Sequence, residues 1–158
     1  MSVQRDYFAR DEAATIALGA RLATRLQPGC VVFLHGDLGA GKTTMVRGML
    51  QHLLPGLRVK SPTYTLVERY EIGALLILHL DLYRLGDPGE LEYLGVREHL
   101  GQAVLLVEWP QKGAGELPPA DLELWLSPRD GGREIRMHGH GERGAALLPD
   151  PVPELDRS

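Results

Sequence analysis

Gly36-Asp37-Leu38-Gly39-Ala40-Gly41-Lys42-Thr43 fits the pattern G-x-x-x-x-G-K-[ST] position for position. A chain that wraps a triphosphate must point backbone N–H groups inward, and side chains would block that approach. Gly36, Gly39, Ala40 and Gly41 leave the main chain bare. Lys42 is then placed to reach the terminal phosphates, and the Thr43 hydroxyl is placed to ligate Mg²⁺. The flanks agree with this reading. Residues 30–34 are β-branched, aromatic and apolar, as in a buried strand. Residues 44–51 follow as a helix whose positive N-terminal end adds to anion binding. Strand, bare loop and helix in that order predict an α/β domain with a nucleoside-triphosphate site.

The rest of the composition narrows the class. The chain has 158 residues, the length of one domain with a single core of ordinary size. A net charge of −4 argues against gripping nucleic acid through a basic surface of its own. Cys30 is the only cysteine, so no intrachain disulfide forms, and its apolar strand predicts a buried thiol. The first residues hold no signal-type apolar run, and the longest apolar stretch, residues 74–80, is too short to span a bilayer. A cytoplasmic location is the default expectation. The sequence contains no asparagine, so the N-K-x-D base-reading motif of guanine-nucleotide switches is absent. ATP is favoured by exclusion.

Outward from the loop, Asp11 is placed to cap a helix over residues 12–26, with Leu18, Leu22 and Leu26 on one stripe and Pro28-Gly29 ending it. Residues 66–72 and 74–80 read as strands separated by Gly73. So short a connection forces antiparallel pairing, and the sheet is therefore mixed. Asp87-Pro88-Gly89-Glu90 reads as a capped helix start, which makes Glu90 structural. Residues 103–107, 122–126 and 133–137 read as further strands. Residues 139–158 are rich in Gly and Pro with little periodicity. They are expected to form a flexible tail, leaving residues 1–138 as the domain.

A phosphate loop needs an acidic partner for its metal, delivered from a neighbouring strand end. Glu108 ends the apolar run 104–107, and Asp81 ends 75–80 in the same way. Glu108 is the favoured metal residue, directly or through water. Asp81 completes the metal shell or orients the attacking water. Ser61, Thr63, Tyr64 and Thr65 gather hydroxyls in a loop that reads equally as a switch segment over the γ-phosphate or as a polar lead-in to a strand. Trp109 falls in a turn, against the nucleotide, a partner or the sheet edge. The histidines show no metal-ligand spacing; His79 and Asp81 share a strand face, which is too few groups for zinc.

The phosphate loop, Ser61-Pro62-Thr63-Tyr64-Thr65-Leu66-Val67-Glu68, His79-Leu80-Asp81-Leu82-Tyr83-Arg84-Leu85 and Val107-Glu108-Trp109-Pro110 together resemble the bacterial TsaE (YjeE) ATPases. Asp11-Glu12-Ala13-Ala14-Thr15 is similar to the start of that family's first helix. The resemblance runs in order from about residue 10 to residue 136. It implies a single P-loop NTPase domain, a mixed central sheet with helices on both faces. It also implies Mg²⁺-dependent ATP hydrolysis supporting the threonylcarbamoyl modification of tRNA adenosine next to the anticodon. The implied partners are TsaD and TsaB, whose assembly would be reset between turnovers, with tRNA met only indirectly. The family's nucleotide and metal contacts fall on residues 37–44, that is Asp37, Leu38, Gly39, Ala40, Gly41, Lys42, Thr43 and Thr44. They continue on Glu108, on Trp109 and, near the nucleotide, on Thr15 and Arg133. Thr43 and Glu108 are the implied metal pair, and Lys42, Asp81 and Glu108 the catalytic set.

Two other classes share the phosphate loop. A small-molecule or nucleoside kinase needs an acceptor pocket and usually an arginine-bearing lid, and residues 11–136 hold no inserted lid segment. A nucleotide-dependent binding module with negligible turnover differs from a regulatory ATPase only in rate.

Overall fold

The structure, a computed structural model, describes residues 2–150. In chain order these form β1 (Ser2–Ala9), α1 (Glu12–Ala23), β2 (Val31–His35), α2 (Lys42–Leu53), β3 (Val67–Ile72) and β4 (Leu75–Asp81). They continue with β5 (Val104–Glu108), β6 (Leu122–Arg129), β7 (Gly132–His140) and α3 (Gly141–Leu147). The strands make one sheet in the order β1-β7-β6-β2-β5-β4-β3. β4, β5, β2 and β6 run parallel, while β3, β7 and β1 are antiparallel to their neighbours, so the sheet is mixed. The β6–β7 turn is Asp130-Gly131 with φ of 47° and 81°, the two left-handed residues that a tight hairpin requires.

Parallel strands in register put the site at one edge. Leu34 pairs with Glu108, and Glu108 pairs with Asp81, so the C-terminal ends of β2, β5 and β4 lie level. The loop after β2 opens beside both carboxylates, as ligand sites in open α/β sheets do. α1, α2 and α3 all cover the face that carries Glu108 and Asp81, enclosing the larger apolar core. The opposite face of β4, β5 and β2 is covered by three 3₁₀ segments, Pro88–Leu94, Arg97–His99 and Pro110–Gly113. Asp87 and Glu90 form the expected capping box, yet the element is 3₁₀ and ends at Gly95 in the left-handed region. Among the described residues no helix is long and apolar enough to cross a membrane.

Three sequence expectations shift. α1 ends at Ala23, not at residue 26: its C-cap is Thr24, whose N–H turns to the Leu22 carbonyl and whose hydroxyl donates to the Arg21 carbonyl at 2.7 Å; Leu26 is nonetheless buried. β1 was not expected at all. Its inward residues Tyr7 and Ala9 are buried, but Arg5 and Asp6 interrupt its apolar pattern. The domain boundary at residue 138 is also corrected. β7 runs on to His140, α3 follows, and Leu147 and Leu148 are buried against the main core. The glycines that suggested a loose tail are there for close packing. A Cβ on Gly144 would stand 2.0 Å from the Asp121 carbonyl oxygen. Tyr7 Oη and Arg5 Nη1 donate to the Pro149 carbonyl at 2.7 and 2.9 Å, closing the segment onto β1. The expected flexibility of residues 151–158 lies outside the described residues.

α1 and α2 pack with main chain against main chain. A Cβ on Gly48 would lie 2.5 Å from the Ile16 carbonyl oxygen. In an exposed helix Gly→Ala gains about 1 kcal/mol. Here the added methyl must push the two helices apart, at a cost of roughly 1–3 kcal/mol. Gly48→Ala is therefore expected to lower the urea unfolding midpoint, and a raised midpoint would show that the helices separate freely.

Candidate functional site

The loop between β2 and α2 is held in a conformation that side chains rarely adopt. Gly36, Gly39 and Gly41 have φ of 150°, 79° and 106°, and Gly41 is the N-cap of α2. No atoms lie within 4 Å of where a Cβ on Gly39 would stand, so the loop is bare toward the cleft. Its carbonyls are tied down from behind. Arg133 Nε donates to the Ala40 carbonyl at 2.9 Å and Nη2 to the Gly39 carbonyl at 3.2 Å. With these oxygens held by a guanidinium, the arrangement suits an anion met by N–H groups and the helix N-terminus.

The cleft beside this loop has a volume of about 440 Å³. Its walls include Leu38, Gly39, Gly41, Lys42, Thr43 and Thr44 from the loop and helix, and Asp81, Glu108 and Trp109 from the strand ends. Thr63, Arg133 and Glu12 complete it. Another hollow, about 480 Å³, lies on the polar face of β1, β7 and β6 around Trp125 and His138 and includes no phosphate-loop residue.

Within the cleft a chain of polar contacts joins the helix to the sheet. Thr43 Oγ1 donates to Glu108, 3.0 Å from Oε2 and 3.1 Å from Oε1. His79 Nε2 lies 2.6 Å from Glu108 Oε2. Lys42 Nζ donates to the Gly36 carbonyl and sits 3.9 Å from the centre of the Trp109 ring. Trp109 has φ of 57°, an uncommon conformation for a bulky residue, and that turn aims the indole at the ammonium. Asp81 Oδ1 accepts from the Tyr83 backbone N–H at 3.1 Å.

Burial sets the electrostatics. The Lys42 pKa is lowered from the ordinary lysine value chiefly because burial disfavours the cation, while Glu108, Asp81 and Asp37 pull it back up. The Asp81 carboxyl is raised above the usual carboxylate range, again mainly by burial, with the Glu108 charge adding to it. The Tyr83 N–H, His79 and Lys42 oppose that rise.

Most of the residues singled out in the sequence meet here. Lys42, Thr43, Thr44, Asp81, Glu108 and Trp109 line one cleft with Leu38, Gly39 and Gly41. Asp37 is exposed on the loop, and Ala40 is buried with only its backbone engaged. Thr15 is buried in α1, its hydroxyl donating to the Asp11 carbonyl at 3.4 Å, and it is not among the residues lining the cleft. Arg133 reaches the cleft with its guanidinium committed to loop carbonyls. The 61–65 loop contributes Thr63, while Tyr64 is 82% exposed. Two cleft features went unread. Glu12 lines the wall and pairs with Arg47 at 2.6 Å, and His79 supports Glu108. The signal for His79 was a polar ring inside the apolar run of β4.

Comparison with known proteins points to one family. The family model described as threonylcarbamoyl adenosine biosynthesis protein TsaE matches residues 9–135. The tRNA threonylcarbamoyladenosine biosynthesis protein TsaE of Haemophilus influenzae is 45% identical, covering 87% of this chain and 91% of its own. The protein of the same name from Bacillus subtilis is 40% identical, covering 86% of each chain. The crystal structure of Bacillus subtilis YdiB superposes with a TM-score of 0.75 at 33% identity, covering 93% of both chains.

The raised Asp81 carboxyl has a consequence for stability. The folded-state pKa lies above the unfolded one, so ionising Asp81 works against folding. That penalty is absent below the unfolded value, grows as pH rises toward the folded value, and is complete above it. Asp81→Asn keeps an acceptor for the Tyr83 N–H. It is expected to raise the unfolding midpoint of nucleotide-free protein at about pH 7.5 and to lose that advantage as pH falls toward about 4. A midpoint that is unchanged or lower at neutral pH would contradict it.

Proposed function

The chain belongs to the TsaE family of threonylcarbamoyl adenosine biosynthesis proteins, and on that premise we propose that it hydrolyses ATP with Mg²⁺ in the cytoplasm and thereby resets a TsaB–TsaD assembly between rounds of tRNA modification. The observation that carries this reading is the pairing of the Thr43 hydroxyl with the Glu108 carboxylate beside the buried Lys42 ammonium. Hydroxyl and carboxylate oxygens suit a hard cation such as Mg²⁺. Among the described residues no group of three His, Cys, Asp or Glu side chains is arranged to hold a metal ion. A cation here would therefore rely on phosphate oxygens as well, as Mg²⁺ commonly does.

Bound ATP and Mg²⁺ would supply the phosphoryl group transferred to water and the charge that neutralises it. The protein's own contribution is positioning and charge. Backbone N–H groups of Gly39 and of residues 41–44, at the N-terminus of α2, would face the phosphates, while the Ala40 N–H closes the loop onto the Asp37 carbonyl at 3.0 Å. Lys42 would exchange the Gly36 carbonyl and the indole face for phosphate oxygen. Thr43 and Glu108 would hold the cation, and Asp81 would orient water at the end of β4. Trp109 closes the wall beside Lys42.

A link to partner proteins is supported at the cleft mouth. The Leu66 carbonyl accepts from the Asp81 N–H at 2.9 Å, and the Leu66 N–H donates to the Pro62 carbonyl at 2.8 Å. The loop bearing Thr63 and exposed Tyr64 is thus tied to the carboxylate end of β4. Exposed Leu38, Tyr64 and Tyr83 offer apolar surface close to that linkage. A net charge of −4 fits an indirect meeting with tRNA.

Phosphate release from ATP is expected to be slow for the chain alone and to change when TsaB and TsaD are added. Lys42→Ala is expected to abolish release, and Glu108→Ala to lower it roughly 10²–10³-fold, the scale on which enzymes lose rate when one group stabilising transition-state charge is removed. Indifference to TsaB and TsaD would remove the resetting role. Transfer to a small-molecule acceptor in preference to water would replace the ATPase reading with a kinase.

A further inference from the structure

His79 is fully buried on β4, opposite Leu106 of β5 and on the same sheet face as Asp81 and Glu108. An apolar side chain would satisfy that position, since Ile77 and Leu106 beside it belong to the main core. Instead the ring costs the fold an unmet polar atom: Nδ1 is buried with no hydrogen-bond partner. The other nitrogen explains the choice. Nε2 lies 2.6 Å from Glu108 Oε2, and a carboxylate accepts, so Nε2 carries a proton and donates it to Glu108.

We infer that His79 is a positioning residue that fixes the orientation of the Glu108 carboxylate, so that its remaining acceptor capacity is turned with Thr43 toward the cation. The inference rests on the ATPase reading above. Glu108 Oε2 is held from below by His79 and from the side by Thr43, while Oε1 is shared only with Thr43. Two donors from different elements define the carboxylate plane. Without the imidazole, Glu108 keeps only the Thr43 hydroxyl, and its carboxylate is free to rotate away from the cation. Supporting groups behind a metal-binding side chain commonly govern metal affinity about 10–100-fold.

The test compares His79→Gln with His79→Asn. The Gln amide reaches the place of Nε2 and can donate to Glu108, whereas the Asn amide stops near Nδ1. Calorimetry of ADP binding with and without Mg²⁺ gives a readout independent of turnover. Wild type and His79→Gln are expected to bind ADP more tightly when Mg²⁺ is present. His79→Asn is expected to keep the Mg²⁺-free affinity and lose most of that enhancement. In phosphate release, the Mg²⁺ concentration for half-maximal rate is expected to rise about 10-fold or more in His79→Asn, with KM for ATP at saturating Mg²⁺ little changed. Equal behaviour of the two variants, or an intact Mg²⁺ enhancement in His79→Asn, would overturn the inference and leave the ATPase reading standing. Wild-type protein that binds no nucleotide with Mg²⁺ would bring down both.

Discussion

One buried ammonium among buried carboxylates organises this molecule. Lys42 is 4% exposed, with Asp81 and Glu108 lining the same cleft, and burial pushes Lys42 and Asp81 toward their neutral forms. Such a group of charges is stable only when each has a partner. Lys42 takes the Gly36 carbonyl and the Trp109 ring, Glu108 takes Thr43 and His79, and Asp81 takes the Tyr83 N–H. The Gly36 carbonyl, the indole face and the Thr43–Glu108 contact are what a phosphate and a cation would exchange with, so the site's readiness to bind and its cost in stability have one origin.

The rest of the fold holds that cluster in place. Parallel register levels the ends of β2, β5 and β4, which brings the loop and both carboxylates to one edge. Glycine contacts let α2 lie close against α1, fixing the axis on which Lys42 and Thr43 ride. Arg133, from the hairpin strand β7, holds the loop carbonyls from the far side. Strands added outside the parallel core therefore serve the loop as much as the sheet. β7 supplies the guanidinium, and β1 and α3 enclose the core beside it.

The misread segments share a cause. Residues 139–150 looked loose because Gly and Pro are common there, but composition does not tell a glycine needed for freedom from one needed for contact. Gly139 and Gly144 are of the second kind, pressed against the backbone of Gly144 and Asp121 respectively. β1 was hidden by two adjacent charges at the sheet edge, Arg5 on the inward face with Tyr7 and Ala9, and Asp6 on the outward face.

The sequence alone determined the phosphate loop, the strand and helix around it, the mixed sheet and the two acidic strand ends, because each is written in local spacing. Bare glycines, apolar runs and a carboxylate closing a run need no distant partner to be recognised. Only the tertiary structure decided that Arg133 clamps the loop, that His79 supports Glu108, and that the last described helix belongs to the core. Those assignments join residues far apart in the chain, and which of them meet depends on strand order and register, which local pattern does not encode.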